Sequence, residues 1–189
     1  APADAGVGLL LAASETLNRL ERRAARERER KLRMSEKGKS QYLEPTDEAG
    51  RAFSARGLNG PVVMLNLLRF RRIADYTSAP QLEPSEPITG EAAYARYIEH
   101  TRPFLEASGG EVVFFGTGGA LLIGPSDEHW DAVVLVRQSS AGDFLAFANN
   151  PAYLAGLGHR SAALEDSRLM PLIESSIREF VTINTGAPL

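Results

Sequence analysis

Four stretches of this chain are almost free of polar residues: Val62 to Leu68, Val112 to Phe115, Ala120 to Ile123 and Ala132 to Val136. They are rich in β-branched and aromatic residues and are bounded by Gly, Pro or charged clusters, so each reads as a strand. A strand with one wet face alternates apolar and polar residues, whereas an unbroken apolar run marks a strand covered on both faces. Any fold for this chain therefore has to supply two covers for one sheet.

The segments around these runs give the order of elements. Pro61 to Phe70 is a first strand, and Asp75 to Pro87, with its prolines, is loop. Gly90 to Ser108 is a helix whose inner stripe holds Tyr94, Tyr97 or Ile98, Thr101, and Phe104 or Leu105, stopped by Gly109-Gly110. Glu111 to Gly116 and Ala120 to Gly124 read as two short strands joined by a turn at Thr117-Gly118-Gly119. Trp130 to Gln138 is a longer strand. Ser140 to Leu157 is a second helix interrupted at Asn149-Asn150-Pro151, and Arg168 to Ile173 is the last strand. The expectation is an α+β, ferredoxin-like βαββαβ antiparallel sheet with an extra hairpin strand and two helices on one face.

Two helices cover only one face. The economical cover for the other is a second copy of the same sheet, because identical apolar patches are self-complementary about a two-fold axis. A homodimer through the open sheet face, a dimeric α+β barrel, follows. The competing cover is a terminal arm folded back, which the basic N-terminal arm lacks the apolar stripe to provide.

The chain divides into a basic helical extension (1–36), a connector (37–60), the sheet domain (61–173) and a C-terminal tail (174–189). Leu10, Ala13, Leu17, Leu20 and Ala24 form a short helical stripe. Glu15 to Arg33 carries seven Arg and one Lys against four Glu, an excess of +4, although the whole chain carries −3. The helix from Leu9 to Arg33 is either a solvated extension or a docking arm for a larger protein assembly. The connector admits a short helix from Asp47 to Arg56, started by Thr46. Leu9 to Ala13 is far below the roughly 20 apolar residues of a membrane span. The chain starts at Ala1, which implies removal of an initiator methionine, a tag or a targeting peptide. Its compartment is expected to be the cytoplasm or, after loss of a transit peptide, the mitochondrial matrix side. With no cysteine, disulfides, thiolate metal sites and a cysteine nucleophile are excluded.

The run from Pro61 to Phe70, the helix with Tyr94 and Tyr97, Ser108-Gly109-Gly110, Trp130-Asp131, and Asn150-Pro151-Ala152-Tyr153 through Gly158-His159-Arg160 to Glu165-Asp166-Ser167 together carry a resemblance. Over about Gln41 to Leu172 the chain resembles the bacterial family of domain of unknown function 1330. The resemblance implies a dimeric α+β barrel. Proteins that share that barrel by fold include small monooxygenases and isomerases of aromatic or lactone substrates, and the family brings no settled catalytic residues with it. The basic segment before Met34 departs from the family pattern, and Met34 resembles the usual start of such a protein.

Six residues are candidates for a site. Asn66, the only polar residue inside the first apolar strand, needs partners for its amide and either binds a neighbouring loop or points into a pocket. Tyr97 and His100 share one face of the first helix and face either the helix–sheet cleft or, for His100, solvent. Trp130 is a large anchor for core or interface. His159 and Arg160, close to Glu165 and Asp166, read as an acid–base group or anion clamp and are the catalytic candidates; Arg160 pairing with Asp166 to fix a loop is the alternative. No metal is expected, because the three histidines have no i,i+2 or i,i+4 spacing, and no motif calls for a cofactor. Gly116-Thr117-Gly118-Gly119 leads into a strand and lacks the Lys of a phosphate loop, and there is no Gly-x-Ser-x-Gly elbow. Without aromatic residues among its arginines, the arm gives no sign of specific nucleic-acid recognition. The expected function is a cofactor-independent homodimer that binds or transforms a small hydrophobic or aromatic molecule; the alternative is an accessory subunit of a larger complex.

Overall fold

A computed structural model describes residues 42–186. The stripe and basic helix expected before Met34 lie outside these residues. Within them, α1 spans Asp47–Ala55, β1 Val62–Phe70, a 3₁₀ turn Pro80–Leu82, α2 Gly90–Ala107, β2 Glu111–Ala120 and β3 His129–Gln138. Then come α3 at Ala141–Ala148, α4 at Pro151–Leu154, α5 at Leu157–Ala163, β4 at Leu164–Ile173 and α6 at Ile177–Thr185. The side chains of Thr46, Thr89, Ser140, Asn150 and Ser176 each accept a backbone N–H at a helix start, satisfying a donor that the helix itself leaves free. The helix expected in the connector is present, and the tail holds α6, closed at its start by a Ser176–Glu179 capping box.

The strands form one antiparallel sheet of order β2-β3-β1-β4, the ferredoxin-like arrangement. The extra hairpin strand is not there. Thr117 to Ala120 continue β2 in register with β3, Gly119 opposite Trp130 and Ala120 opposite His129. The glycines that suggest a turn instead allow two backbones to approach: a Cβ on Gly118 would sit 2.2 Å from the Trp130 carbonyl oxygen. The chain reverses later, in the loop holding Gly124 at φ 156° and Pro125. The second helix is likewise three pieces, and β4 starts at Leu164, four residues before the expected Arg168.

Alternation along the strands separates two faces. Leu68, Ala132 and Val134 meet Ala93, Tyr94 and Tyr97 of α2, Tyr153 of α4, and Ala162 and Ala163 of α5 in the buried core. The opposite face carries a row that crosses all strands: Phe114 pairs with Leu135, Leu135 with Leu65, and Leu65 with Met170. Its centre is half-buried, while Phe114 and Met170 are each 51% exposed. Arg137 bridges Glu111 (2.9 Å) and Glu174 (3.0 Å) at one end of this face.

Three elements are joined through backbone at one point. Arg71 N–H donates to the Ala163 carbonyl (2.8 Å), and Gly90 N–H donates to the Arg71 carbonyl (3.0 Å). A Cβ on Gly90 would lie 2.4 Å from Arg71 O and 2.5 Å from Ala163 O, both rigid backbone atoms. Gly90→Ala should therefore destabilise the fold by about 1–3 kcal/mol, the usual cost of overpacking. Chemical denaturation checks this; an unchanged midpoint would show that the junction can open without cost.

Candidate functional site

The candidate residues do not form one constellation. His159, in the first half of α5, is the better placed of the two catalytic candidates. Its Nδ1 lies 2.8 Å from the hydroxyl of Tyr76, and the two rings meet edge to face at 5.6 Å. Tyr76 is buried, held by the loop whose Asp75 N–H donates to the Ala162 carbonyl. Burial lowers the pKa of His159 below the ordinary imidazole value, and the nearby Arg96 and His100 charges lower it further. Burial raises that of the Tyr76 phenol. At neutral pH the pair is thus a neutral imidazole hydrogen-bonded to a protonated phenol. Tyr76 stands in a proline-rich loop with no periodicity, so nothing in the sequence singled it out.

Arg160 does not pair with Asp166. It donates to the Leu43 carbonyl and to Ser167 Oγ (3.1 Å), and Ser167 Oγ donates to the Tyr42 carbonyl. Asp166 bonds Arg168 instead (2.7 Å), and accepts the N–H groups of Tyr42 (2.9 Å) and Ser167 (3.0 Å). Burial alone would raise the Asp166 pKa; the Arg168 hydrogen bond and the Tyr42 N–H outweigh it and hold the carboxyl below its usual range. Arg160 and Asp166 therefore both fasten the Tyr42-Leu43 segment to β4, but through separate partners.

Tyr97 and His100 share a helix face as expected. The Tyr97 hydroxyl lies 3.0 Å from that of Tyr153, and both tyrosines are buried. Burial, then the neighbouring Tyr97, raises the pKa of Tyr153, which stays protonated. His100 Nε2 lies 3.0 Å from the Ala152 carbonyl and 3.2 Å from that of Tyr153, and its ring packs on Gly156, where a Cβ would be 2.1 Å from Cδ2. His100 is thus the pin that holds α4 on α2. The helix–sheet interior is filled by rings in sequence: Phe70 and Tyr94 at 5.3 Å, Tyr94 and Tyr97 at 5.4 Å, Tyr97 and Tyr153 at 6.3 Å, Tyr153 and Phe147 at 4.4 Å.

Asn66 and Trp130 make their contacts elsewhere. Asn66 Nδ2 donates to the carbonyls of Met64 (3.1 Å) and Val134 (3.3 Å), within the sheet. Trp130 is 4% exposed, donates to Glu128 (2.9 Å), and has the guanidiniums of Arg69 (5.1 Å) and Arg168 (5.0 Å) over its ring. Arg168 also lies 4.5 Å from the Tyr42 ring. Arg69, itself 5% exposed, donates to the His129 carbonyl.

Among the described residues no three His, Asp or Glu side chains gather as a metal site, and no helix is long and apolar enough to cross a membrane. One open depression, about 540 Å³, lies beside the Tyr76 loop and is lined by Leu43, Glu44, Arg71, Asp75, Thr77, Ser78 and Ser161.

The model of the family Domain of unknown function (DUF1330) matches residues 85–173. A protein of unknown function from Rhodopseudomonas palustris, RPA0582, is 38% identical over 72% of this chain and 99% of that one, with a TM-score of 0.65. The chain belongs to the DUF1330 family. The methylated form of RPA0582 matches likewise, at 37% identity over 74% of this chain and 98% of that one, with a TM-score of 0.66. A dimeric protein of unknown function with a ferredoxin-like fold from Bacteroides fragilis matches at 12% identity over 60% of this chain and 96% of that one, with a TM-score of 0.37. No curated protein matches. For this DUF1330 chain the resemblance seen in the sequence holds, and neither family nor relatives assign a reaction to its residues.

The lowered pKa of His159 has a consequence for stability. In the unfolded chain an imidazole takes up a proton below about pH 6.5. The folded protein resists that uptake, so the unfolded state binds more protons and folding stability is lost as pH falls through this range. The unfolding free energy should drop between about pH 7.5 and pH 5.5, and drop less in His159→Gln, which keeps an acceptor for Tyr76 but does not titrate. Equal losses in the two proteins, measured by denaturant titration, would remove His159 as a cause.

Proposed function

We propose that the protein works as a homodimer closed over the open sheet face, and that it binds or transforms, without a cofactor, a small hydrophobic or aromatic molecule at a site served by His159. The observation that carries the pairing is the row Phe114, Leu135, Leu65 and Met170, an apolar band across every strand with its two ends half in water. A band of this kind, self-complementary about a two-fold axis, is best covered by its own copy. What supports His159 is its neutral imidazole. Nδ1 is tied to Tyr76, which leaves Nε2 as the nitrogen open to a ligand. Arg160 serves this site by holding the neighbouring Leu43 segment.

Phe114→Asp combined with Met170→Asp would place carboxylates in the paired band, where desolvation disfavours them strongly. The double variant should sediment as a monomer under conditions in which the parent sediments as a dimer, with its circular dichroism unchanged. A parent that is itself monomeric would sink the pairing. For the site, phenol-sized aromatic probes should shift resonances near α5 in the parent and not in His159→Ala; equal shifts in both would reject His159.

A further inference from the structure

Strand β2 carries more apolar surface than the pairing of open faces hides. Alone among the four described strands it buries none of its residues. Phe114 opposes Leu135 on the open face, where a second copy would cover it. Val112 opposes Val136 and Phe115 opposes Val134, and these partners pack into the core on the helix side. Both Val112 and Phe115 nonetheless stay about half exposed. β2 is also an edge strand, so the backbone groups along its outer side have no partner strand.

Helix α6 has the complementary surplus. The helical repeat puts Ile177, Phe180, Val181 and Ile183 on one face and Arg178, Glu179, Thr182 and Thr185 on the other. A capping box fixes its start and Gly186, at φ 69°, its end. Yet none of its residues is buried, and Ile177, Phe180 and Ile183 lie mostly in water. A helix of nine residues is marginal by itself and gains its stability from packing of its apolar face. Glu174, shortly before it, bonds Arg137 (3.0 Å), which stands two residues from Leu135 and therefore on the open face. The tail thus departs on the side where a second copy would sit.

Symmetry decides where α6 can go. β4 ends at Ile173 opposite Val62, Val62 is opposite Gln138, and Glu111 at the start of β2 is opposite Arg137. α6 therefore leaves the sheet at the end where β2 begins, but at the other edge. A two-fold axis lying between the open faces lays the apolar band on itself if it runs either across the strands or along them. An axis across the strands carries α6 to the start of β4 of the second copy, where Asp166 and Arg168 are already paired with each other. An axis along the strands exchanges the edges and keeps the ends, and so brings α6 of each copy to the start of β2 of the other.

We propose that α6 is an exchanged arm: with the open faces paired about an axis along the strands, its apolar face lies along the outer edge of β2 of the second copy, against Val112, Phe114 and Phe115. This rests on the pairing inferred above, and adds to it the segment that closes the dimer and the direction of its axis. The chain has no cysteine, so an introduced pair reports one contact. In Phe115→Cys combined with Phe180→Cys, mild oxidation of the full-length protein should give a covalent dimer on a denaturing gel, and peptide mass analysis should find position 115 joined to position 180. Ile177→Ser combined with Phe180→Ser should raise the dimer dissociation constant by about tenfold or more in sedimentation equilibrium, because two apolar side chains per arm lose their cover. An internal 115–180 disulfide in a chain of monomer size would mean that α6 covers its own β2, and overturns the exchange. A protein that sediments as a dimer but forms no 115–180 disulfide, or whose dissociation constant is unchanged in the serine variant, overturns the exchange and leaves the pairing in place. A parent that sediments as a monomer overturns both.

Discussion

The meeting of Arg71, Gly90 and Ala163 fixes most of what can be said about this molecule. At that point the chain leaving β1, the first turn of α2 and the last turn of α5 share two backbone hydrogen bonds across a gap too narrow for a side chain. Backbone donors buried there have no other partner, so the junction cannot loosen without leaving polar groups unpaired. It sets the height at which α2 crosses the sheet. It also sets where the loop after β1 departs, and with it Asp75, Tyr76 and the Arg71 side chain. Tyr76 reaches His159 because its loop is tied to Ala162, the residue next to the junction.

The two faces of the sheet are finished by different means. On the helix side, small residues at Ala93, Ala132, Ala162 and Ala163 bring backbones close, and tyrosines and phenylalanines fill the space that remains. On the other side the apolar band ends in half-exposed Phe114 and Met170, with Arg137, Glu111 and Glu174 at its border. A charged border around an apolar centre is the anatomy of a surface that joins another. The band accounts for the apolar residues on this face of β1 and β3, but not for Phe115, which lies opposite Val134 on the helix side and is 57% exposed, nor for Leu122 and Ile123, which lie beyond the end of β2.

The fold was legible because it rests on periodicity. Strand β1 and helix α2 follow from apolar spacing, and the connector helix from its Thr46 start, all local signals. What the sequence hid is non-local. Gly118 and Gly119 look like a turn by composition, and only the closeness of the Trp130 carbonyl shows that they are strand glycines. Helix α5 hid behind Gly156 and Gly158, which read as a helix end; each in fact makes room for a neighbour, Gly156 for the His100 ring and Gly158 for Ala79. Arg160 pairs with Leu43, which lies 117 residues away, and no spacing rule reaches that far. Among the site residues, the shared face of Tyr97 and His100 was visible, but Tyr76, Tyr153 and Arg71 were not. Their roles come from loops and helix pieces that packing, rather than pattern, brings together.

The aromatic chain from Phe70 through Tyr94, Tyr97 and Tyr153 to Phe147 also constrains where any ligand can sit. It occupies the space between helices and sheet, where this architecture would otherwise hold a small molecule. Its inner hydroxyls bond each other, so an entering ligand would have to break a buried hydrogen bond as well as displace rings. Access is easier where packing stops short. One such place is the open sheet face; another is the rim formed by the Tyr76 loop, α5 and the Leu43 segment, where His159 and Arg71 both come near the surface. Arg160, by drawing Leu43 onto β4, builds one wall of that rim. Its guanidinium is bonded to a carbonyl and a hydroxyl, and so ties the wall to the sheet.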